Sequence, residues 1–178
     1  MINDFFKSLE IDIQPQEYRW TRGMVGEDLN FFKSCIDVFK TNNIFSFLDI
    51  GTGPGTLVKM CLDSNINAYG IDPVIDQKTP NLYVGTISTA IKNENLLGDY
   101  KFSCISCVNF LHGANHNESE LISLFSMMKR RADFIMITEP NIGQDAKNIC
   151  MSNLECVHKF DRSHGGAYHS LYKIYNKI

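Results

Sequence analysis

The chain contains no apolar run of about eighteen residues, the minimum for a membrane-spanning helix. Its opening residues, Met1-Ile2-Asn3-Asp4-Phe5-Phe6-Lys7, carry neither the basic stretch nor the apolar core of a secretory leader. A soluble, cytoplasmic protein with no membrane contact is therefore expected. Positive charge is also scarce. Lys and Arg number 17 against 20 Asp and Glu, for a formal net charge of -3 and a sequence pI of about 5.9. That balance speaks against a broad nucleic-acid surface, which needs clustered cations to displace counterions. The densest basic cluster, Lys129-Arg130-Arg131, suits the last turn of a helix, where cations complement the dipole. No repeat, low-complexity tract or Pro/Gly/Ser-rich linker divides the sequence, so 178 residues with 44% hydrophobic content point to one domain with one core.

Six cysteines, Cys35, Cys61, Cys104, Cys107, Cys150 and Cys156, fall within apolar segments, as expected of thiols in a reducing compartment. Cys104-Ile105-Ser106-Cys107 has the spacing of a redox or zinc motif. It lies inside an apolar run with strand character, where residues three apart point to opposite faces, so both thiols are expected to be structural.

Periodicity supplies the organisation. Leu29, Phe32, Ile36 and Phe39 mark one face of a helix over 25–42. A strand over 44–50 follows, then a glycine turn and a helix over 56–64 with Leu57, Met60 and Cys61 inward. Strands over 68–71 and 82–84 precede a helix over 86–97. A strand over 102–110 feeds a helix over 118–131, with Leu121, Leu124, Phe125 and Met128 inward, and a strand over 133–138. Asn141 suits the cap of a helix running through Ile149. Segments 154–160 and 168–175 have strand character and are joined by Asp161-Arg162-Ser163-His164-Gly165-Gly166. The alternation predicts an α/β protein of three layers, with a mostly parallel seven-stranded sheet and a C-terminal antiparallel hairpin. Such sheets bind ligands beyond the carboxyl ends of their strands, where strand order reverses.

The glycine turn is the motif that carries chemistry. Gly51, Gly53 and Gly55 stand at alternate positions between a strand and a helix, where the backbone must turn tightly and approach a ligand without a Cβ in the way. A dinucleotide site wants glycine three residues after the second glycine of the turn, and Thr56 stands there instead. A nicotinamide or flavin site is accordingly disfavoured. The stretch Phe47-Leu48-Asp49-Ile50-Gly51-Thr52-Gly53-Pro54-Gly55-Thr56 resembles motif I of the class I, Rossmann-like S-adenosylmethionine-dependent methyltransferases. The resemblance spans residues 44–140. It implies S-adenosyl-L-methionine as cofactor, held by Asp49, Gly51, Thr52, Gly53 and Gly55. It further implies that the acid ending the second strand, Asp72 before Pro73, grips the ribose hydroxyls. Members of that family often carry an acid after the third strand for the adenine edge, whereas this chain offers Thr86.

After the fourth strand, Val108-Asn109-Phe110-Leu111-His112-Gly113 is similar to a segment of small-molecule members of the family, which places Asn109 and Phe110 beside the cofactor. It does not match the Asn/Asp-Pro-Pro-Tyr pattern of enzymes that methylate base amines. His112 is a candidate general base for a hydroxyl acceptor, or a residue that packs beside the cofactor or caps the next helix. Glu139, after the fifth strand, either contacts substrate or holds the following connection. His116, His164, His169 and Asp161 match no ordinary zinc spacing, so no metal is expected. Tyr18-Arg19-Trp20-Thr21-Arg22-Gly23 precedes the first long helix; as a lid, it would let Arg22 pair with a carboxylate of cofactor or substrate. The expected division is a lid and helix over 1–43, a cofactor-binding core over 44–140, and a closing helix and hairpin over 141–178. The expected activity is methyl transfer to oxygen or nitrogen of a small-molecule or saccharide-type acceptor by a monomer or homodimer. The alternatives are an RNA or protein methyltransferase working with a partner subunit, and a non-catalytic binding module of the same fold.

Overall fold

The computed structural model describes residues 2–9, 25–73, 75, 80–107, 117–138, 143–160 and 169–175. Seven strands make one sheet: β1 (Ser46–Ile50), β2 (Asn67–Asp72), β3 (Leu82–Val84), β4 (Phe102–Cys107), β5 (Ala132–Thr138), β6 (Leu154–Lys159) and β7 (His169–Ile174). Their order is β3-β2-β1-β4-β5-β7-β6. The first five run parallel, and β7 lies antiparallel between β5 and β6. This is the expected α/β sandwich with its antiparallel closing hairpin. Strand order reverses between β1 and β4, so a crevice at their carboxyl ends is where this topology places a ligand.

β1 is buried at every position, as a central parallel strand covered on both faces must be. Its alternate side chains feed two cores. Leu48 and Ile50 join Phe5, Phe6 and Leu9 of α1 (Ile2–Leu9), Ile87 and Ala90 of α4 (Ile87–Lys92), and Leu121, Leu124 and Phe125 of α5 (Glu118–Arg131). Phe47 points the other way, to Phe31, Cys35, Ile36 and Phe39 of α2 (Val25–Thr41) and Leu57, Val58 and Cys61 of α3 (Thr56–Asp63). Cys104 and Cys107 fall in opposite cores, as strand alternation requires, and all six cysteines are free thiols.

Three details differ from the periodicity. The buried face of α2 runs through Phe31, Cys35, Ile36 and Phe39; Leu29 is 37% exposed at its rim and Phe32 is only partly covered. The helix expected over 86–97 breaks at Asn93 into α4 and a 3-10 turn, Glu94–Leu97, which lets Glu94 turn back beneath α5. The last helix, α6 (Gln144–Met151), begins after Gly143, and Asn141 lies outside the described residues, as does the end of the strand expected through 110.

Helix α1 has no counterpart among the periodic segments. At eight residues it is too short to hold itself, and packing holds it instead. Phe6 lies between Tyr69 and Tyr83, with ring centroids at 4.8 and 4.1 Å and interplanar angles of 18° and 14°.

The basic cluster ending α5 has internal partners. Arg130 donates to Glu94 through Nε at 3.0 Å and Nη2 at 2.6 Å, and Arg131 Nε donates to Glu94 Oε1 at 2.8 Å. Lys129 Nζ caps α6 by donating to Ile149 O at 3.0 Å. Burial by itself would raise the Glu94 carboxyl, but hydrogen bonds from the two arginines outweigh it and hold it below its ordinary value. No helix among the described residues is long and apolar enough to cross a membrane.

Candidate cofactor site

The turn after β1 is built from backbone geometry that side chains resist. Gly51, Gly53 and Gly55 all have positive φ, at 78°, 59° and 76°. The turn is pinned to β2, where Gly51 N and Thr52 N both donate to Ile71 O, at 2.8 and 3.2 Å. Gly55 N then donates to Thr52 O at 3.1 Å and Gly55 O accepts from Lys59 N, opening α3. No side chain among the described residues caps α3, so its positive end meets the strand ends uncapped, a favourable setting for a carboxylate.

Two buried carboxylates border this turn. Asp72, 2% exposed at the end of β2, accepts a hydrogen bond on Oδ2 from Gly53 N at 3.0 Å. Asp49, 5% exposed on β1, accepts on Oδ1 from Ser106 Oγ of β4. Burial pushes the Asp49 carboxyl up to about 6; the Ser106 hydrogen bond and the nearby Thr52 hydroxyl oppose this, and the Asp72 charge adds to it. Thr52 Oγ1 itself is buried with no partner at bonding distance among the described residues. A charged pair, an uncapped helix start and an orphaned hydroxyl around bare backbone fit a zwitterionic ligand carrying additional positive charge. They fit a diphosphate poorly, because two carboxylates would repel it.

Asp49, Gly51, Thr52, Gly53, Gly55 and Asp72 are thus brought together around the turn. Gly51 is half-buried, while Gly53 and Gly55 are buried, Gly55 against Leu82 of β3. Pro73 follows Asp72, half-buried. Gly85 N donates to Asp72 O at 3.0 Å, which sets the start of α4 beside the end of β2. The Thr86 hydroxyl there accepts from Thr89 N at 3.1 Å in a capping box, so it serves the helix start. Arg22, Asn109, Phe110, His112 and Glu139 lie outside the described residues, as do His116, Asp161 and His164. His169 is fully buried, with its ring 4.8 Å from that of Phe31.

Two residues at the site escaped the sequence. Ser106 sits in an apolar run and looked like strand filler. Gly70 sits between Tyr69 and Ile71, and a Cβ there would stand 2.7 Å from Thr52 Cγ2 and 2.6 Å from Leu82 Cδ2. A glycine inside a strand is itself a sign of close approach by another part of the chain.

No protein-family model and no curated protein matches the chain. Solved structures do. The chain is similar to DesVI of Streptomyces venezuelae, with a TM-score of 0.63 at 10% identity over 84% of this chain and 93% of that one. It is similar to the methyltransferase domain of the bacterial protein CtHen1, with a TM-score of 0.58 at 10% identity over 84% and 100%. It is likewise similar to magnesium protoporphyrin IX methyltransferase (ChlM) from Synechocystis PCC 6803, solved with bound SAH, with a TM-score of 0.55 at 12% identity over 96% and 92%. With a sheet ordered β3-β2-β1-β4-β5-β7-β6, these likenesses show that the chain has the Rossmann-like fold of the class I S-adenosylmethionine-dependent methyltransferases.

Proposed function

We propose that the chain is one methyltransferase domain that binds S-adenosyl-L-methionine and transfers its methyl group to oxygen or nitrogen of a small-molecule or saccharide-type acceptor. The observation that carries this reading is the Asp72 carboxylate, fixed against the glycine turn by Gly53 N at the switch point of the sheet. Asp72 holds the ribose, the turn from Gly51 to Gly55 admits the aminoacyl part against bare backbone, and Asp49 supplies negative charge toward its ammonium. When bound, the cofactor supplies an electrophilic methyl on a sulfonium, so the protein's task is mainly alignment. Pro73 and Thr86 border the adenosine, Asn109 and Phe110 flank it, and Arg22 answers a carboxylate of cofactor or acceptor. His112 takes the proton of a hydroxyl acceptor as its new bond to carbon forms, and Glu139 contacts the acceptor. Six free thiols suit a reducing setting such as the cytoplasm.

Titration calorimetry with S-adenosylmethionine and with its demethylated product tests the reading. Binding of both is expected, abolished by Gly53→Trp and weakened at least about tenfold by Asp72→Ala, about the loss of one charged hydrogen bond. Absence of heat with either ligand would overturn it. An acceptor panel then separates small metabolites and saccharides from RNA and protein.

A further inference from the structure

One row of side chains crosses the sheet on the face covered by α2 and α3. Leu82, Gly70, Asp49, Ser106, Met136 and Leu171 are successive register partners from β3 to β7. Its ends are apolar, and its centre is a serine and a carboxylate beside a glycine. Over that glycine lies Thr52, whose Oγ1 is 2.9 Å from where a Gly70 Cβ would stand. The missing side chain in β2 is therefore replaced by one from the turn, and the turn hydroxyl comes down beside Asp49.

We propose that Ser106 is a positioning residue of the cofactor site: its hydroxyl, donating to Asp49 Oδ1 across the β1–β4 junction, fixes that carboxylate beneath Thr52 for the ammonium of a bound aminoacyl ligand. The inference rests on the reading of the site given above. A carboxylate in an apolar row stays ionised only if donors hold its charge, and the Ser106 hydroxyl is bonded to it, with the Thr52 hydroxyl acting in the same sense from the turn. The titratable groups that bear on Asp49 are Asp72 from β2, Cys35 from α2, Cys61 from α3, and Cys104 and Cys107 from β4. Burial holds each of these thiols in its neutral form. Among these described groups none is a cation, which leaves the charge of Asp49 open to an answering ammonium brought by the ligand. Ser106 sets the range of acidity over which that answer is available.

The test is calorimetric titration with S-adenosylhomocysteine, whose one cation is its ammonium, from about pH 5 to about pH 8. The wild type, Ser106→Ala and Ser106→Thr are compared. The wild type is expected to lose affinity as pH falls through about 6. Ser106→Ala is expected to move that midpoint up by about one unit, weakening binding about fivefold at the wild-type midpoint, up to about tenfold below it and little at about pH 8. Ser106→Thr keeps the donor and is expected to restore the wild-type profile. A midpoint unchanged in Ser106→Ala, or a loss of affinity equal at every pH, would overturn the proposal. A wild type that fails to bind at any pH would instead overturn the cofactor reading, so the two failures are distinct. Circular dichroism and thermal melting of each variant show whether it is folded; if Ser106→Ala does not fold, a wild-type profile in Ser106→Cys, which lacks the strong donor, overturns the proposal.

Discussion

Asp72 Oδ2 and Gly53 N are 3.0 Å apart, so the acid ending the second strand is bonded to the middle of the glycine turn 19 residues before it. That bond stiffens the turn, and in the function proposed above the same carboxylate would hold a sugar. Replacing Asp72 with Ala leaves a buried N–H without its acceptor, at a cost of about 1–3 kcal/mol in stability. Asp72→Asn keeps an acceptor for Gly53 N and should fold close to wild type while losing affinity for the nucleoside. Urea denaturation beside ligand titration separates the two effects.

Asp49 makes an opposite prediction. Its carboxyl is raised to about 6 from an ordinary 3.8, so ionising it in the folded chain works against folding as pH rises through that interval. The shift of about two units corresponds to roughly 3 kcal/mol of destabilisation at full ionisation. Asp49→Asn should therefore stabilise the ligand-free protein above about pH 6, with the gain shrinking as pH falls and vanishing below about pH 3, where both states are protonated. The same variant should bind S-adenosylmethionine poorly. A lower urea midpoint than wild type at about pH 8 would contradict this.

Gly70 has no side chain to offer a ligand, yet Gly70→Ala should disturb the site. Its new methyl group would press on Thr52 and on Leu82, both tighter than contact allows. The expected cost is about 1–3 kcal/mol from overpacking, together with weaker cofactor binding as Thr52 is displaced. Thr52→Ser in the same background removes one of the two clashing methyl groups and should recover part of both losses.

Glu94 is held low by Arg130 and Arg131 against its own burial. A depressed carboxyl contributes stability above its ordinary range, and that contribution disappears as pH falls through the lowered value. Glu94→Gln should cost about 1–3 kcal/mol near neutrality, because two guanidinium groups lose a charged acceptor. The difference from wild type should narrow in acid. Urea midpoints across pH measure this, and cofactor affinity should be unchanged.

The strand, glycine turn and helix from Ser46 to Asp63 were legible because each signal is local: an apolar run, three glycines and a new periodicity. The place of Asp72 at the end of β2 was legible for the same reason, since an acid at a strand end needs no knowledge of its neighbours. Other features depend on distant partners. Helix α1 exists because Phe6 finds Tyr69 and Tyr83 far along the chain, which no window of eight residues reveals. The buried stripe of α2 was misplaced because Phe31, Phe32 and Leu29 are all apolar, and only the opposing sheet decides which of them turns inward. The break at Asn93 follows from Glu94 reaching Arg130 and Arg131. Ser106 escaped notice since its meaning comes from Asp49, its register partner 57 residues earlier.

The hairpin that closes the sheet carries a lesson about synthesis. β6 is made before β7, yet β7 lies between β5 and β6. As the nascent chain emerges, β5 has a bare edge and β6 has nowhere to dock until residues His169–Ile174 arrive to bridge them. A ribosome that stalled short of His169 would release the edge of β5 and the whole of β6 unpaired at once, a template for misassembly that disappears when β7 slides in and pairs with both.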